Sequence, residues 1–418
     1  MKKQLLAASL LLASLTTFGA GYQLNLQGLR QLAMGGTGTA WPWDASTIFY
    51  NPGGLARLKS IQVYACGLFV MPATAYGNEM AGSSTRSKQQ TFVPFNAYIG
   101  GPIQEDSRFA LGLGIYTSAG VGLSWDDNWM GKYIVQSISL EALSFQPTIS
   151  YRISDFMSVG AGFVYTVGTF DYKNALPVES YYGSAYTVEG EAHLHGNADG
   201  VGFNVGVQLK PSDNLQLGIT YRSQVNLGLS GGAATFSVPT SLASSFPNTT
   251  FDSQLPLPQV GSVGIGYRID QRLTLQLDLN FTGWSTFDSL RINFGEHTSS
   301  LQDMHEPRHY RNTLTPRIGA NYKVSKVVSL MAGGAYDPTP VVNNFVSPDL
   351  PDADRIVLTC GIAIKPLPRF TILAAFEGTD AMKRTGNYIY NQNANVSNFS
   401  GTYKTVAAST GIGVYYNF

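Results

Sequence analysis

The chain has 418 residues, its 27 Lys and Arg balance 27 Asp and Glu, and only 13% of its residues are charged, about half the share usual in soluble domains. No apolar run approaches the roughly 20 residues a membrane-crossing helix needs, and 44% hydrophobic content without net charge is the reverse of a disordered composition. A helical membrane protein, a disordered chain and a nucleic-acid binder, which needs an excess of basic residues, are excluded; a soluble all-β protein or a transmembrane β-barrel remains.

Residues 1–19 carry Lys2 and Lys3, an apolar core over 5–15 that is too short to span, and small residues ending at Gly19. This pattern reads as a secretory signal peptide with a mature start at Ala20. Residues 20–59 have a different texture, rich in Gly and without sustained alternation. Leu24, Leu26, Leu29, Leu32, Ile48, Phe49 and Leu55 are too many apolar groups for a solvated tail. Lipid does not accept irregular backbone, so this segment is expected to fold into a barrel lumen as a hatch.

From residue 60 to 418 the signal is period two. In 273–281, Leu273, Leu275, Leu277, Leu279 and Phe281 share one face while Thr274, Gln276, Asp278 and Asn280 share the other. Candidate strands fall near 61–71, 91–101, 108–117, 138–151, 156–170, 187–210, 213–229, 258–269, 272–284, 310–323, 327–337, 354–365, 369–379 and 405–418. About 14 strands, an even number, joined by alternating short turns (152–155, 211–214, 270–272, 323–326, 366–368) and long loops (72–90, 118–137, 171–186, 230–257, 285–309, 338–353, 380–404) fit an all-β, antiparallel transmembrane barrel of a bacterial outer membrane. A phase shift after Ala142 suggests a bulge in 138–151. Trp284, Tyr322, Tyr336, Tyr415 and Tyr416 suit interfacial girdles. Cys66 and Cys360 both read as lipid-facing on separate strands, with no disulfide between them. The last strand ends on Phe418 after alternating Ile412, Val414 and Tyr416, which resembles the signal read by the barrel assembly machinery.

Along the chain stand Ala20-Gly21-Tyr22-Gln23-Leu24-Asn25, Met34-Gly35-Gly36, Asp44-Ala45-Ser46, Tyr50-Asn51-Pro52-Gly53-Gly54-Leu55-Ala56, Asp127-Asn128-Trp129-Met130-Gly131-Lys132-Tyr133, Gly218-Ile219-Thr220-Tyr221-Arg222-Ser223, Tyr336-Asp337-Pro338-Thr339-Pro340-Val341 and Pro351-Asp352-Ala353-Asp354-Arg355. In this order they resemble the FadL family, outer-membrane transporters of long-chain fatty acids and other hydrophobic compounds. The resemblance implies a 14-stranded barrel plugged by a hatch. It also implies capture of apolar ligand by outer loops, a pocket at the mature N-terminus, and lateral release where a strand kinks. The family commonly reads Asn-Pro-Ala in the hatch; Gly53 departs from it and is expected to add flexibility.

An apolar ligand gains about 25 cal/mol for each Å² removed from water. Phe236, Leu242 and Phe246, with Val238, Phe251 and Leu255, give the 230–257 loop the apolar surface of a capture groove. Leu176 and Tyr181, with Tyr172, Val178 and Tyr182, supply its partner; packing of the two loops on each other is the compatible alternative. Tyr22 and Leu24 are matched to the pocket floor. Asn51 and Pro52, with Gly53 following, are expected to fix a turn through an Asx hydrogen bond. Arg222 and Arg317, with Arg311 near a strand entrance, are candidates to meet a carboxylate. A structural network of inward Arg with Asp278, Glu141 or Glu377 weighs equally.

Other chemistry is weaker. Gly228-Leu229-Ser230-Gly231-Gly232 matches a nucleophile elbow formally, but no helix pattern follows, and a turn is the better reading. It is the sole support for an outer-membrane lipid hydrolase, the alternative of another class. His193 and His195 share a strand face without an evident third ligand, and 296–309 gathers His297, Asp303, His305 and His309 in a loop. Gly35–Gly38 lacks the Lys of a phosphate loop. The expectation is therefore a non-enzymatic channel without cofactor or metal. It passively admits hydrophobic small molecules, long-chain fatty acids first and aromatic hydrocarbons second. Its partners would be outer-membrane lipid and the assembly machinery, and no nucleic acid.

Overall fold

The computed structural model describes residues 21–78, 82–177, 189–392 and 395–418; the signal peptide and the groove candidates Val178, Tyr181 and Tyr182 lie outside them. In chain order the strands are β1 (Gln62–Asn78), β2 (Ser83–Arg86), β3 (Phe95–Pro102), β4 (Phe109–Ser124), β5 (Ser137–Arg152), β6 (Met157–Pro177) and β7 (Glu189–Leu209). There follow β8 (Leu215–Arg222), β9 (Val225–Ser237), β10 (Thr249–Leu257), β11 (Val260–Arg268), β12 (Leu273–Thr282), β13 (Ser289–Phe294) and β14 (Met304–Pro307). The last are β15 (Thr313–Lys323), β16 (Val328–Asp337), β17 (Arg355–Leu367), β18 (Phe370–Ala381), β19 (Arg384–Gln392) and β20 (Asn395–Asn417).

Fourteen of these strands (β1, β3 to β8, β11, β12, β15 to β18 and β20) pair antiparallel, each with the next, and β20 returns to β1. The ring has no free edge, which is the condition for strands to cross lipid. The remaining strands extend the wall on its outer side. β9 and β10 form a hairpin on the upper half of β7, β13 joins β10, and β19 pairs with β20. Much of what alternation alone assigns to loops at 230–257, 285–309 and 380–404 is therefore paired strand, and the expected strand 213–229 divides at 223–224, where the chain leaves the ring for the hairpin.

Outward positions carry the apolar belt: Leu275, Leu277, Leu279 and Phe281 on β12, Ile318 on β15, and Ile356 and Leu358 on β17 are exposed. Inward positions are mostly polar, as Thr274, Gln276 and Asp278 are. β1 departs from this rule. Tyr64, Cys66, Leu68 and Val70 point inward and are buried, with Cys66 Sγ 3.1 Å from Asn96 Oδ1, so the lipid-facing reading of Cys66 is corrected. The inward face of β1 is apolar because the N-terminal segment packs its own apolar residues there. Cys360 is exposed and both thiols are free. Trp284 is corrected too, from girdle to buried core, and Tyr415 turns inward onto Tyr64, whereas Tyr322, Tyr336 and Tyr416 are exposed on the outer wall.

Residues 21–58 contact inward side chains around the ring. Short helices α1 (Leu29–Leu32) and α2 (Thr47–Tyr50) and a 3-10 turn over Pro52–Arg57 are joined by irregular backbone. Its polar groups are met by the wall. Thr359 Oγ1 accepts from Gly35 N at 2.8 Å, Asp278 Oδ2 accepts from Gly38 N and Thr39 N at 2.9 Å, and Tyr64 OH accepts from Leu29 N at 2.7 Å. Gln146 Nε2 donates to Ile48 O at 2.7 Å and Ser158 Oγ to Gly53 O at 2.7 Å. Asn51 is the pivot: its Oδ1 accepts from Gly53 N at 3.1 Å, an Asx turn, while its Nδ2 donates to Thr39 O at 2.8 Å and Val207 O at 3.0 Å. Gly53 serves close approach rather than flexibility, since a Cβ there would stand 2.8 Å from the Gly206 carbonyl oxygen. The wall yields likewise: a side chain at Gly218 would run into the Thr39 carbonyl.

Gly218→Val is expected to weaken docking of residues 21–58 by about 1–3 kcal/mol through overpacking. Trypsin cleavage at buried Arg30 in detergent-purified protein measures this and should accelerate. Gly261→Val, at a site with nothing within 4 Å, should leave cleavage unchanged.

Candidate functional site

The wall is incomplete in one place. β3 begins only at Phe95, so the outer half of β4 has no β3 partner, although β5 follows β4 to Ser124. The β4–β5 register slips by one residue between Thr117 and Ala119, leaving Ser118 as a bulge. β5 itself alternates without interruption, which corrects the bulge expected near Ala142. The phase shift in its sequence instead marks a change of interior: inward Ile138, Leu140 and Ala142 give way to inward Ser144, Gln146, Thr148 and Ser150. Leu140 and Ala142 face a cavity, and the polar four lie on the stretch that binds the N-terminal backbone. The freed edge of β4 is taken up from inside. Gln23 bridges Ala119, Leu24 N donates to Ser118 O at 3.2 Å, and Gly120 N donates to Tyr22 O at 3.0 Å.

Beside this junction lies a cavity of about 640 Å³. Its inner lining is Leu24, Gly120, Leu140 and Ala142; its outer lining includes Val93, Phe95 and Tyr165, which are exposed on the wall's outer face. The cavity therefore passes through the wall. Tyr22 packs in the same hydrophobic cluster as Leu140 and Ala142, its OH donating to Pro256 O at 2.5 Å and its ring edge-on to Trp284 and Phe287 at 5.0 and 5.4 Å.

A second cavity of about 560 Å³ opens among the outer strands. Tyr172, Leu176, Phe236 and Phe246, four of the groove candidates, line it with Leu194 and Ile292, and Leu242 packs on Phe246 behind them. Arg308 and Glu306 stand in the same lining. The guanidinium of Arg308 donates from Nη1 and Nη2 to Asp349 Oδ1 and Oδ2 at 3.0 and 2.7 Å, a two-pronged pair with both side chains nearly inaccessible. Burial alone would raise the Asp349 carboxyl, but Arg308 holds it below the usual range. Glu306 lacks such a partner: it accepts from Tyr388 OH at 2.8 Å, and burial pushes its carboxyl up. Neither Arg308 nor Glu306 stands out in sequence, because their partners Asp349 and Tyr388 are far along the chain.

The sequence candidates for carboxylate binding are placed elsewhere. Arg222 lies 3.7 Å over the Phe49 ring and donates from Nη2 to Phe49 O at 2.7 Å. Arg317 donates from Nη1 to Gly35 O at 3.0 Å and is paired across the β12–β15 register with Asp278. Both hold the N-terminal segment and border cavities of only about 40 and 10 Å³. Glu141, expected inward, faces outward. Ser230 lies in a strand bulge with Gly231 at φ 64°, not in a turn before a helix; its Oγ and Gly231 N donate to Asp252 Oδ1. His193 and His195 converge on Asp171 Oδ2 at 2.8 and 3.2 Å, and His297 pairs with Asp303 at 2.8 Å. Among the described residues, no group of three such side chains is placed to hold a metal.

A family model described as outer membrane protein transport protein (OMPP1/FadL/TodX) matches residues 10–418. The long-chain fatty acid transport protein of Escherichia coli (strain K12) is 24% identical over 402 residues, spanning 86% of this chain and 87% of that protein. Outer membrane protein P1 of Haemophilus influenzae is 23% identical over 423 residues, with 89% of each covered. The crystal structure of a Pseudomonas aeruginosa FadL homologue superposes with a TM-score of 0.85 at 20% identity, covering 97% of this chain and all of that one. The Pseudomonas putida toluene transporter TodX gives 0.72 at 17% identity over 96% of this chain and 100% of that one. These two share the fold.

Breaking the buried pair with Asp349→Ala should destabilise the outer cluster by about 3–5 kcal/mol, while Arg308→Met with Asp349→Leu should cost less. Thermal melting and protease resistance of the outer strands check the order of the two. Because the Asp349 value is depressed on folding, the pair contributes fully above about pH 4 and its contribution fades as pH falls further.

Proposed function

The chain belongs to the OMPP1/FadL/TodX family of outer membrane transport proteins, and from that premise we propose that it is a plugged outer-membrane channel for passive uptake of hydrophobic molecules, not an enzyme. The observation that carries this reading is the cavity that runs from Leu24 in the interior to Phe95 and Tyr165 on the outer wall. A general diffusion pore needs an open water column along its axis. A sideways apolar passage serves a molecule that leaves water for the membrane, and burying it is favourable by about 25 cal/mol per Å².

Capture begins in the outer cavity on Leu176, Phe236 and Phe246, with Leu242 packed behind them. Transfer follows past Tyr22 and Leu24, which two backbone hydrogen bonds hold against the freed edge of β4. When residues 22–24 leave Ser118 and Gly120, the passage widens into the interior. Residues 20–59 act as the hatch, with the Asn51-Pro52-Gly53 turn and the two arginines Arg222 and Arg317 as its fastenings. Long-chain fatty acids and aromatic hydrocarbons, named for relatives and for similar structures, both fit the size and apolarity of this route. Outer-membrane lipid receives the cargo, and the barrel assembly machinery reads the strand ending in Phe418.

Cells expressing the channel should take up oleate or toluene faster than cells without it, whereas liposomes containing it should stay tight to small sugars. Ala142→Phe, which fills the passage from its inner side, should reduce uptake about tenfold, and Phe236→Ala with Phe246→Ala should weaken capture by a similar factor. Uptake indifferent to Ala142→Phe would defeat the lateral route.

A further inference from the structure

An anion drawn into an apolar passage needs a cationic partner there, because an unpaired buried charge is strongly disfavoured. Among the described residues that line the two large cavities, Arg308 is the sole Lys or Arg, and both its terminal nitrogens are already on Asp349. The segments 79–81, 178–188 and 393–394 contain no Lys or Arg. Arg222 and Arg317 are held on the carbonyls of Phe49 and Gly35, away from both cavities.

Acids stand where the cation is missing. The wall-crossing cavity is lined by Glu141 and Asp199 together with Thr117, Thr169 and Asn197. Strand register sets them in two adjacent rows. Thr117, Leu143, Val167 and Asp199 face one another across β4 to β7, and Glu141, Thr169 and Asn197 form the next row outward. Below them the belt of Tyr165, Val201 and Phe203 is apolar. Both carboxylates are therefore at the mouth of the passage, where apolar wall turns polar. Among the described residues no ion pair engages either of them. In the outer cavity the buried Glu306 adds a further acid.

We propose, resting on the uptake reading above, that this channel favours neutral hydrophobic molecules over carboxylates, and that Glu141 and Asp199 set the preference by repelling an anion at the mouth of the passage. Like charges a few ångströms apart beside apolar wall repel far more strongly than in bulk water. A hydrocarbon or an alcohol meets no such barrier and uses the same apolar lining.

The test uses matched pairs, toluene with p-toluate and oleyl alcohol with oleate, in cells with and without the full-length channel. The wild type should admit the neutral member of each pair about tenfold faster than its carboxylate, and Glu141→Gln with Asp199→Asn should raise carboxylate uptake about threefold or more while neutral uptake stays constant. Asp199→Lys, which reverses the local charge, should raise it further, and heat-modifiable gel mobility verifies that each variant is folded. Equal uptake of the two members by wild type, or a carboxylate-to-neutral ratio that neither variant moves, overturns the preference while leaving the uptake reading intact. Failure of even the neutral members to enter overturns the uptake reading and this narrowing with it.

Discussion

Everything in this molecule depends on where irregular backbone finds its hydrogen-bond partners. A closed ring satisfies its own strands, but residues 21–58 are mostly neither helix nor strand, and lipid offers their amides nothing. The interior of the ring supplies what is missing. Asp278, Thr359, Gln146, Ser158 and Tyr64, all inward, meet the amides and carbonyls of that segment. Asn51 joins three stretches of chain through one amide group. Apart from Asp278 those partners are neutral, so the wall meets the backbone of this segment with few charges, as the outer wall meets lipid with its belt of large apolar side chains.

The same accounting explains the passage. A strand edge left bare would be costly, yet β4 loses its β3 partner above Phe95. The cost is met by the backbone of Tyr22, Gln23 and Leu24, which lies against Ser118 to Gly120 from inside. The opening in the wall is thus closed by main chain rather than by side chains. Those few contacts are separable without disturbing the ring, since every ring strand keeps its other neighbour. The rest of the N-terminal segment is fastened far more heavily, so a local release near residue 22 leaves the lumen occupied.

Strand phase made the ring legible in the sequence, since an apolar belt over a polar lumen is a two-residue repeat. It misleads where both faces of a strand are apolar: Cys66 looks lipid-facing because its inward neighbours are hydrophobic residues of the N-terminal segment. It also misplaced the bulge. The change of phase at Ala142 is real, but it records two interiors behind one regular strand, while the extra residue is Ser118 across from it. Leu176, Phe236, Leu242 and Phe246 stand out in the sequence by apolar content, and the fold brings them side by side in the outer strands. The pair Arg308–Asp349 and the acids bordering the passage were not readable, since their meaning lies in contacts between strands and loops distant in sequence. Arg222 and Arg317 are candidates by inward strand phase, while their partners, the carbonyls of Phe49 and Gly35, are set by the fold of a segment distant in sequence.

The seam between β1 and β20 carries a consequence for how the molecule is made. Gln62 pairs with Asn417 and the register continues to Gly77 with Thr402, so the contact that completes the ring joins the two ends of the barrel sequence. Pairings of such separation carry the largest loop-closure entropy and form late. The N-terminal segment depends on the same closure, because its bonds reach Tyr64 on β1, Gln146 on β5, Asp278 on β12 and Thr359 on β17, and one short segment can hold all four only where the sheet has curved round to bring those strands together.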